Sequence, residues 1–316
     1  MIFWIICGIL AFLIVAIFAP LFYCFKQTFY HNKPQVLGEN EYSVPTGGIY
    51  DNHYDQFIAW AKASRELPHE KVETISFDGL KLRGKYYESQ KGAPIEIMFN
   101  GYRGNAERDM SGGIERCFKL GRNALIVNQR ACGDSEGKVH TFGINEKKDC
   151  LAWIKFCIEK FGENCQLILT GISMGGATVL LASRETLPKN VKYVLSDCSY
   201  TSAKEIICKT IKEMKLPSKI CFPFVKLSGK IFGKFNVEKD NPINAVANAT
   251  LPIILFHGNQ DTLIPCEMAQ RLYNACITQK YIYIVDGAEH GLAYPEDKEG
   301  YLNAIREFEK QIDFKY

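Results

Sequence analysis

The chemistry of this 316-residue chain centres on one serine, one histidine and one aspartate. Gly171-Ile172-Ser173-Met174-Gly175 fits the pattern G-x-S-x-G, with the strand-like run QLILTG before it and the helix-compatible GATVLLAS after it. A serine on a sharp strand-to-helix turn sits in strained backbone, and only small neighbours permit the close approach such a turn demands. The helix that follows offers free N–H groups and a positive dipole end. A hydroxyl also needs a base, and the base needs an orienting acid. His290 lies in DGAEHG, directly after the last apolar run, and Asp261 lies in HGNQD, directly after the preceding one. All three then sit at carboxyl ends of strands, in the chain order Ser, Asp, His. That set suits acyl transfer, with Ser173 as nucleophile, His290 as general base and Asp261 holding the imidazole. Asp197, which ends the run YVLSD, is the alternative acid.

The elements that must position these residues are legible as short apolar runs separated by helical patterns. KVETISF and LKLRGKYYE alternate around Asp78-Gly79, a two-residue hairpin signal. IEIMFN, ALIVNQ, QLILTG, YVLSDC, IILFHG and YIYIVDG read as buried strands. Helical stretches are expected near 51–65, 106–121, 145–161, 174–186, 266–276 and 297–312. Strand and helix alternate and the strands are nearly continuously apolar, so the fold class is α/β. The expectation is a mostly parallel eight-stranded sheet with helices on both faces. Residues 201–248 break the alternation with helical patterns and three prolines, Pro217, Pro223 and Pro242. An insertion of that size after a strand reads as a short helical lid. Within 201–240, nine lysines face four acids. A packed helical cap with a solvated lysine face is the plain reading; a basic amphipathic lid beside an anionic bilayer is the sharper one.

With those strings in place, residues 70–316 resemble the α/β-hydrolase superfamily. The resemblance rests on NGYRGN, NQRACGDSEG, GISMGG, HGNQDTLIP and GAEHG. It is similar to N-terminally anchored bacterial serine hydrolases, and distantly to serine peptidases of the prolyl-oligopeptidase and serine aminopeptidase type. The resemblance implies a carboxylic ester or thioester as the small-molecule acyl substrate, no cofactor, and an oxyanion hole made by the backbone N–H groups of Tyr102 and Met174. Most members carry histidine-glycine where Asn100-Gly101 stands here. A peptidase of the same catalytic class and a non-catalytic binding protein that keeps the fold are the competing functions. His257 reads as structural, Arg130 and Asp134 as loop braces, and Arg103 as either an anion-binding or a solvent-facing residue.

Composition sets the outer limits. With 38 basic and 35 acidic residues the formal charge is +3, which excludes a nucleic-acid footprint. Six histidines without H-E-x-x-H and twelve cysteines without C-x-x-C argue against a zinc site. The cysteines follow no regular framework and read as small buried apolar residues in a reducing compartment. Residues 1–25 carry no charged side chain and lack the charged start and small-residue site of a cleaved signal peptide. The expectation is an N-terminal transmembrane helix at 1–25 that holds the protein in a lipid bilayer. A juxtamembrane linker and helix at 26–70 and a catalytic domain at 71–316 would follow. Lys26 and Lys33 bias the catalytic domain toward the cytoplasm.

Overall fold

The computed structural model describes residues 1–31 and 41–316; Lys33 and the turn signals at Asn32, Pro34 and Gly38 lie outside the described residues. Eight strands form one sheet: β1 Glu70–Ile75, β2 Lys81–Tyr87, β3 Ile95–Phe99, β4 Asn123–Val127, β5 Leu167–Ile172, β6 Val191–Asp197, β7 Ile253–Gly258 and β8 Lys280–Val285. Their order is β1-β2-β4-β3-β5-β6-β7-β8. Strand β2 pairs antiparallel with both β1 and β4, and every other pairing is parallel. The sheet is therefore mixed, with its antiparallel part confined to one edge. The β1–β2 turn is one residue longer than expected. Ser76 and Leu80 still pair, and Phe77, Asp78 and Gly79 close the loop with Gly79 at φ +86°. A type I turn followed by a left-handed glycine needs that third residue.

Period-two alternation divides the strand side chains between two helical layers. Ile97, Leu125, Leu169, Val194 and Leu255 face α4 (Glu146–Phe161), α5 (Met174–Ala182), α8 (Pro242–Val246) and α9 (Glu267–Ala275). Met98, Ile126, Ile168, Leu195 and Phe256 face α2 (Tyr54–Glu66), α3 (Ala106–Lys119) and α11 (Lys298–Gln311). One polar network crosses the second layer. Glu96, fully buried on β3, meets the guanidiniums of Arg116 and Arg122 and accepts from Thr170 Oγ1 at 2.8 Å. Arg122 also meets Glu309 on α11. Burial alone would push the Glu96 carboxyl up, but the two arginines outweigh it and pull it down to about 2.

The expected transmembrane helix at residues 1–25 is corrected by the structure. The segment is helical, as α1 Ile2–Thr28, yet among the described residues no helix is long and apolar enough to cross a membrane. The physical reason for the apolar sequence of its last turns is internal packing. Leu21, Phe25 and Phe29 are buried, and Phe25 and Phe29 join a cluster with Met174, Phe142 and the insertion helices. These helices are α6 (Ala203–Glu213) and α7 (Ser218–Phe232), within the 201–248 stretch. Phe22 meets Phe232 edge-on at 5.3 Å between ring centroids, and Phe29 meets Phe235 the same way at 5.0 Å. A bridge between Tyr30 and Val139 then ties the end of α1 to the loop before α4.

Candidate active site

Register alone brings the relevant strand ends to one line. Phe99 pairs with Gly171, Ile172 with Asp197, and Gly258 with Val285. From β3 the chain goes to β4 on one side and then to β5 on the other, so the crevice outside β3 and β5 is the topological switch point where such sheets bind ligands.

Ser173 occupies the turn from β5 to α5 at φ +56°, in the region that disfavours residues with a Cβ. Its glycine neighbours are sterically required. A Cβ on Gly171 would lie 2.1 Å from Gly175 C, and one on Gly175 would lie 2.0 Å from Phe99 O. The Ser173 amide donates to Asp197 O at 2.8 Å, which fixes the turn against β6. His290 sits in the loop after β8, and its Nε2 lies 3.1 Å from Ser173 Oγ. Its Nδ1 lies 2.7 Å from Asp261 Oδ2, in the loop after β7. The structure thus brings Ser173, His290 and Asp261 into one hydrogen-bonded line. Asp197, the alternative acid, instead accepts from Tyr301 Oη at 3.0 Å, and no hydrogen bond joins it to His290 among the described residues.

Asp261 is held as a carboxylate. Its Oδ1 accepts from the amides of Leu263 at 2.9 Å and Ile264 at 2.7 Å. Burial raises its pKa, but hydrogen bonds from His257 and His290 dominate and bring it down to about 2. His257 braces this acid: Nε2 lies 2.8 Å from Ile264 O and 3.1 Å from Asp261 Oδ2. Since Asp261 is ionised, the His290 proton belongs on Nδ1, which leaves the Nε2 lone pair for the Ser173 hydroxyl.

The loop after β3 forms the opposite wall. An ideal Cβ on Gly101 would stand 3.5 Å from Ser173 Cβ, so the Gly101-Tyr102 turn abuts the serine. Neither Tyr102 N–H nor Met174 N–H donates to a backbone carbonyl among the described residues. Asn100, at the position where histidine is usual, is fully buried and pins the turn from below. Its Nδ2 donates to Gly101 O at 2.8 Å, and its Oδ1 accepts from Gln129 N at 3.0 Å.

Sequence reasoning missed Asp109. From the first turn of α3 its Oδ2 accepts from Gly101 N at 2.8 Å, anchoring the same turn from the far side. Burial pushes this carboxyl up, opposed by Arg108. In sequence it looks like an ordinary first-turn acid behind the cap Asn105, which accepts from Arg108 N at 2.8 Å. Cys198, one residue past β6, was also missed. Its Sγ lies 3.9 Å from His290 Nε2. Arg103 is exposed to solvent rather than turned to an anion, and its guanidinium caps the end of α1. It donates to Gln27 O at 2.8 Å and Tyr30 O at 3.1 Å, while Tyr102 Oη donates to Thr28 O at 2.8 Å. Arg130 braces its loop through Asp149 at 2.6 Å and Asp78 at 2.9 Å.

A mixed eight-stranded sheet with a serine on its strand-to-helix turn places the chain in the α/β-hydrolase superfamily. Residues 138–312, more than half of the chain, match the prolyl oligopeptidase family, and the chain belongs to that family. It is 26% identical over 190 residues to the protein YqkD of Bacillus subtilis, covering 60% of this chain and 62% of that one. It is 30% identical over 145 residues to the thiohydrolase aneE of Aspergillus aculeatus, covering 45% of each. The matches thus span less than two thirds of these relatives. Among solved structures, the esterase Pf2001 of Pyrococcus furiosus superposes with a TM-score of 0.66 at 24% identity, over 89% of this chain and 98% of that one. That likeness is one of fold.

Proposed function

We propose that this protein is a serine hydrolase that cleaves carboxylic esters or thioesters through an acyl-enzyme on Ser173. The single observation that carries the reading is the line from Asp261 through His290 to Ser173, at 2.7 and 3.1 Å. Ser173 Oγ attacks the acyl carbon while His290 Nε2 takes its proton; the same proton then goes to the departing alkoxide or thiolate. Asp261 stabilises the imidazolium between these steps. The amides of Tyr102 and Met174 receive the developing oxyanion, each such donor being worth about 3–4 kcal/mol. Water, deprotonated by His290, then releases the acid and restores the hydroxyl. The similarity to a thiohydrolase supports thioesters as well as oxygen esters.

A peptidase reading is favoured by the family match itself, whose model bears the prolyl oligopeptidase name. Turnover of acyl esters and thioesters of graded chain length, beside a panel of aminoacyl amides, separates the two. The expected result is hydrolysis of esters, abolished in Ser173→Ala with an unchanged circular-dichroism spectrum. Undiminished ester turnover in that variant, or faster cleavage of the amides, overturns the ester reading.

A further inference from the structure

We propose that Cys198, His290 and Ser173 form a binding site for a soft divalent cation, zinc or cadmium, whose binding blocks hydrolysis. Zinc takes thiolate sulfur at about 2.3 Å and imidazole nitrogen at about 2.0–2.1 Å in tetrahedral geometry. A sulfur and a nitrogen sharing one such ion are then about 3.6 Å apart, and an oxygen and a nitrogen about 3.3 Å. Here Cys198 Sγ stands 3.9 Å and Ser173 Oγ 3.1 Å from His290 Nε2. Both edges lie within a few tenths of an ångström of what the ion requires.

The support behind the imidazole fits as well. A metal-bound histidine commonly gives its other N–H to a carboxylate, which fixes the ring and raises its basicity. Asp261 already receives Nδ1 at 2.7 Å. Sulfur, nitrogen and carboxylate oxygen all lie within 4.8 Å of one another. Asp261 itself is no direct ligand, because its oxygens are taken by Leu263, Ile264, His257 and His290. Cys198 sits directly after β6 at φ +42°, which holds its sulfur on the same carboxyl edge as the other two groups. Ser173 is only half-buried, and the ion enters past it.

Binding exchanges the thiol proton of Cys198 for the metal, the proton passing to solvent, and occupies the Nε2 lone pair. A fourth ligand comes from water. The site is spatial rather than sequential: Ser173, Cys198 and His290 come from three different strand ends, so no ligand-spacing motif announces it.

The blocking half of the inference rests on the proposed role of His290; the binding half does not, and the experiment separates them. Cadmium is titrated into the full-length chain and followed by its thiolate charge-transfer absorbance. One equivalent of that signal should vanish in Cys198→Ala and in Cys198→Ser, with melting temperatures reported to show folding. In His290→Ala the affinity at that site should fall at least tenfold. Ser173→Ala, which has no turnover, should keep the Cys198-dependent signal but bind cadmium more weakly, water replacing the hydroxyl. In parallel, the zinc concentration that halves ester hydrolysis should rise at least tenfold in Cys198→Ala. Equal cadmium signals in the wild type and both Cys198 variants overturn the site. A Cys198-dependent signal with hydrolysis untouched by zinc upholds the site and overturns both the blocking and the catalytic role of His290.

Discussion

Asp109 offers a test of whether the loop after β3 works by being held still. Its carboxylate accepts the buried Gly101 N–H at 2.8 Å, one residue before the Tyr102 amide that is proposed to receive the oxyanion. Asp109→Ala removes the acceptor and leaves that amide without a partner, a cost of about 1–3 kcal/mol. The turn can recover this by rotating Gly101 toward water, which displaces Tyr102 N–H from the oxyanion position. A loss expressed in the transition state lowers kcat by roughly 5- to 150-fold and leaves KM little changed. Asp109→Asn keeps an oxygen in the same place and should stay within about threefold of the wild type. The assay is steady-state hydrolysis of a chromogenic butyrate ester by all three proteins, with thermal melts to show equal folding. If the alanine variant keeps full kcat, the loop needs no such anchor. If asparagine is as damaging as alanine, the charge matters rather than the acceptor, and the positioning argument fails.

Other consequences are more direct. Glu96→Gln leaves Arg116 buried without its carboxylate and Arg122 with Glu309 alone, and should cost about 3–5 kcal/mol of stability, read from urea denaturation. In the wild type the same group sets an acid limit. Its folded value of about 2 lies below the ordinary 4.5, so the protonated form is favoured in the unfolded chain. Its stabilisation is complete above about pH 4.5 and fades as the pH falls toward 2. Melting temperatures measured across that window should decline, and a flat profile would contradict the assignment. Gly175→Ala places a methyl against Phe99 O, so the protein should be destabilised and inactive even though alanine is the better helix former. A melting temperature at or above the wild type would refute the close approach.

Much of the layout was readable because it depends on local pattern. The strand positions of IILFHG and IEIMFN are apolar apart from His257 and Glu96 and all are buried since helices cover both faces, and β7 spans the former residue for residue. Ser173, Asp261 and His290 could be selected because each follows such a run, and parallel strands deliver their carboxyl ends to one edge. What escaped was set by tertiary contact. Asp109 has the sequence signature of any first-turn acid, and its bond to Gly101 exists only once α3 lies against the β3 loop. Cys198 looks like a small core residue until β6 and the β8 loop meet. The first segment was misread because aromatic and aliphatic residues in a helix give the same pattern whether they face lipid or Phe232 and Phe235.

The last turns of α1 therefore matter to anyone engineering this protein for expression. Thr28 and Gln27 hold Tyr102 and Arg103, while Phe25 and Phe29 sit under the insertion helices. Trimming the hydrophobic leader to gain solubility would pull a shared keystone from the loop after β3 and from the insertion helices at once. Repainting its outward residues, such as Phe12, Val15 and Tyr23, with polar side chains would leave that keystone in place.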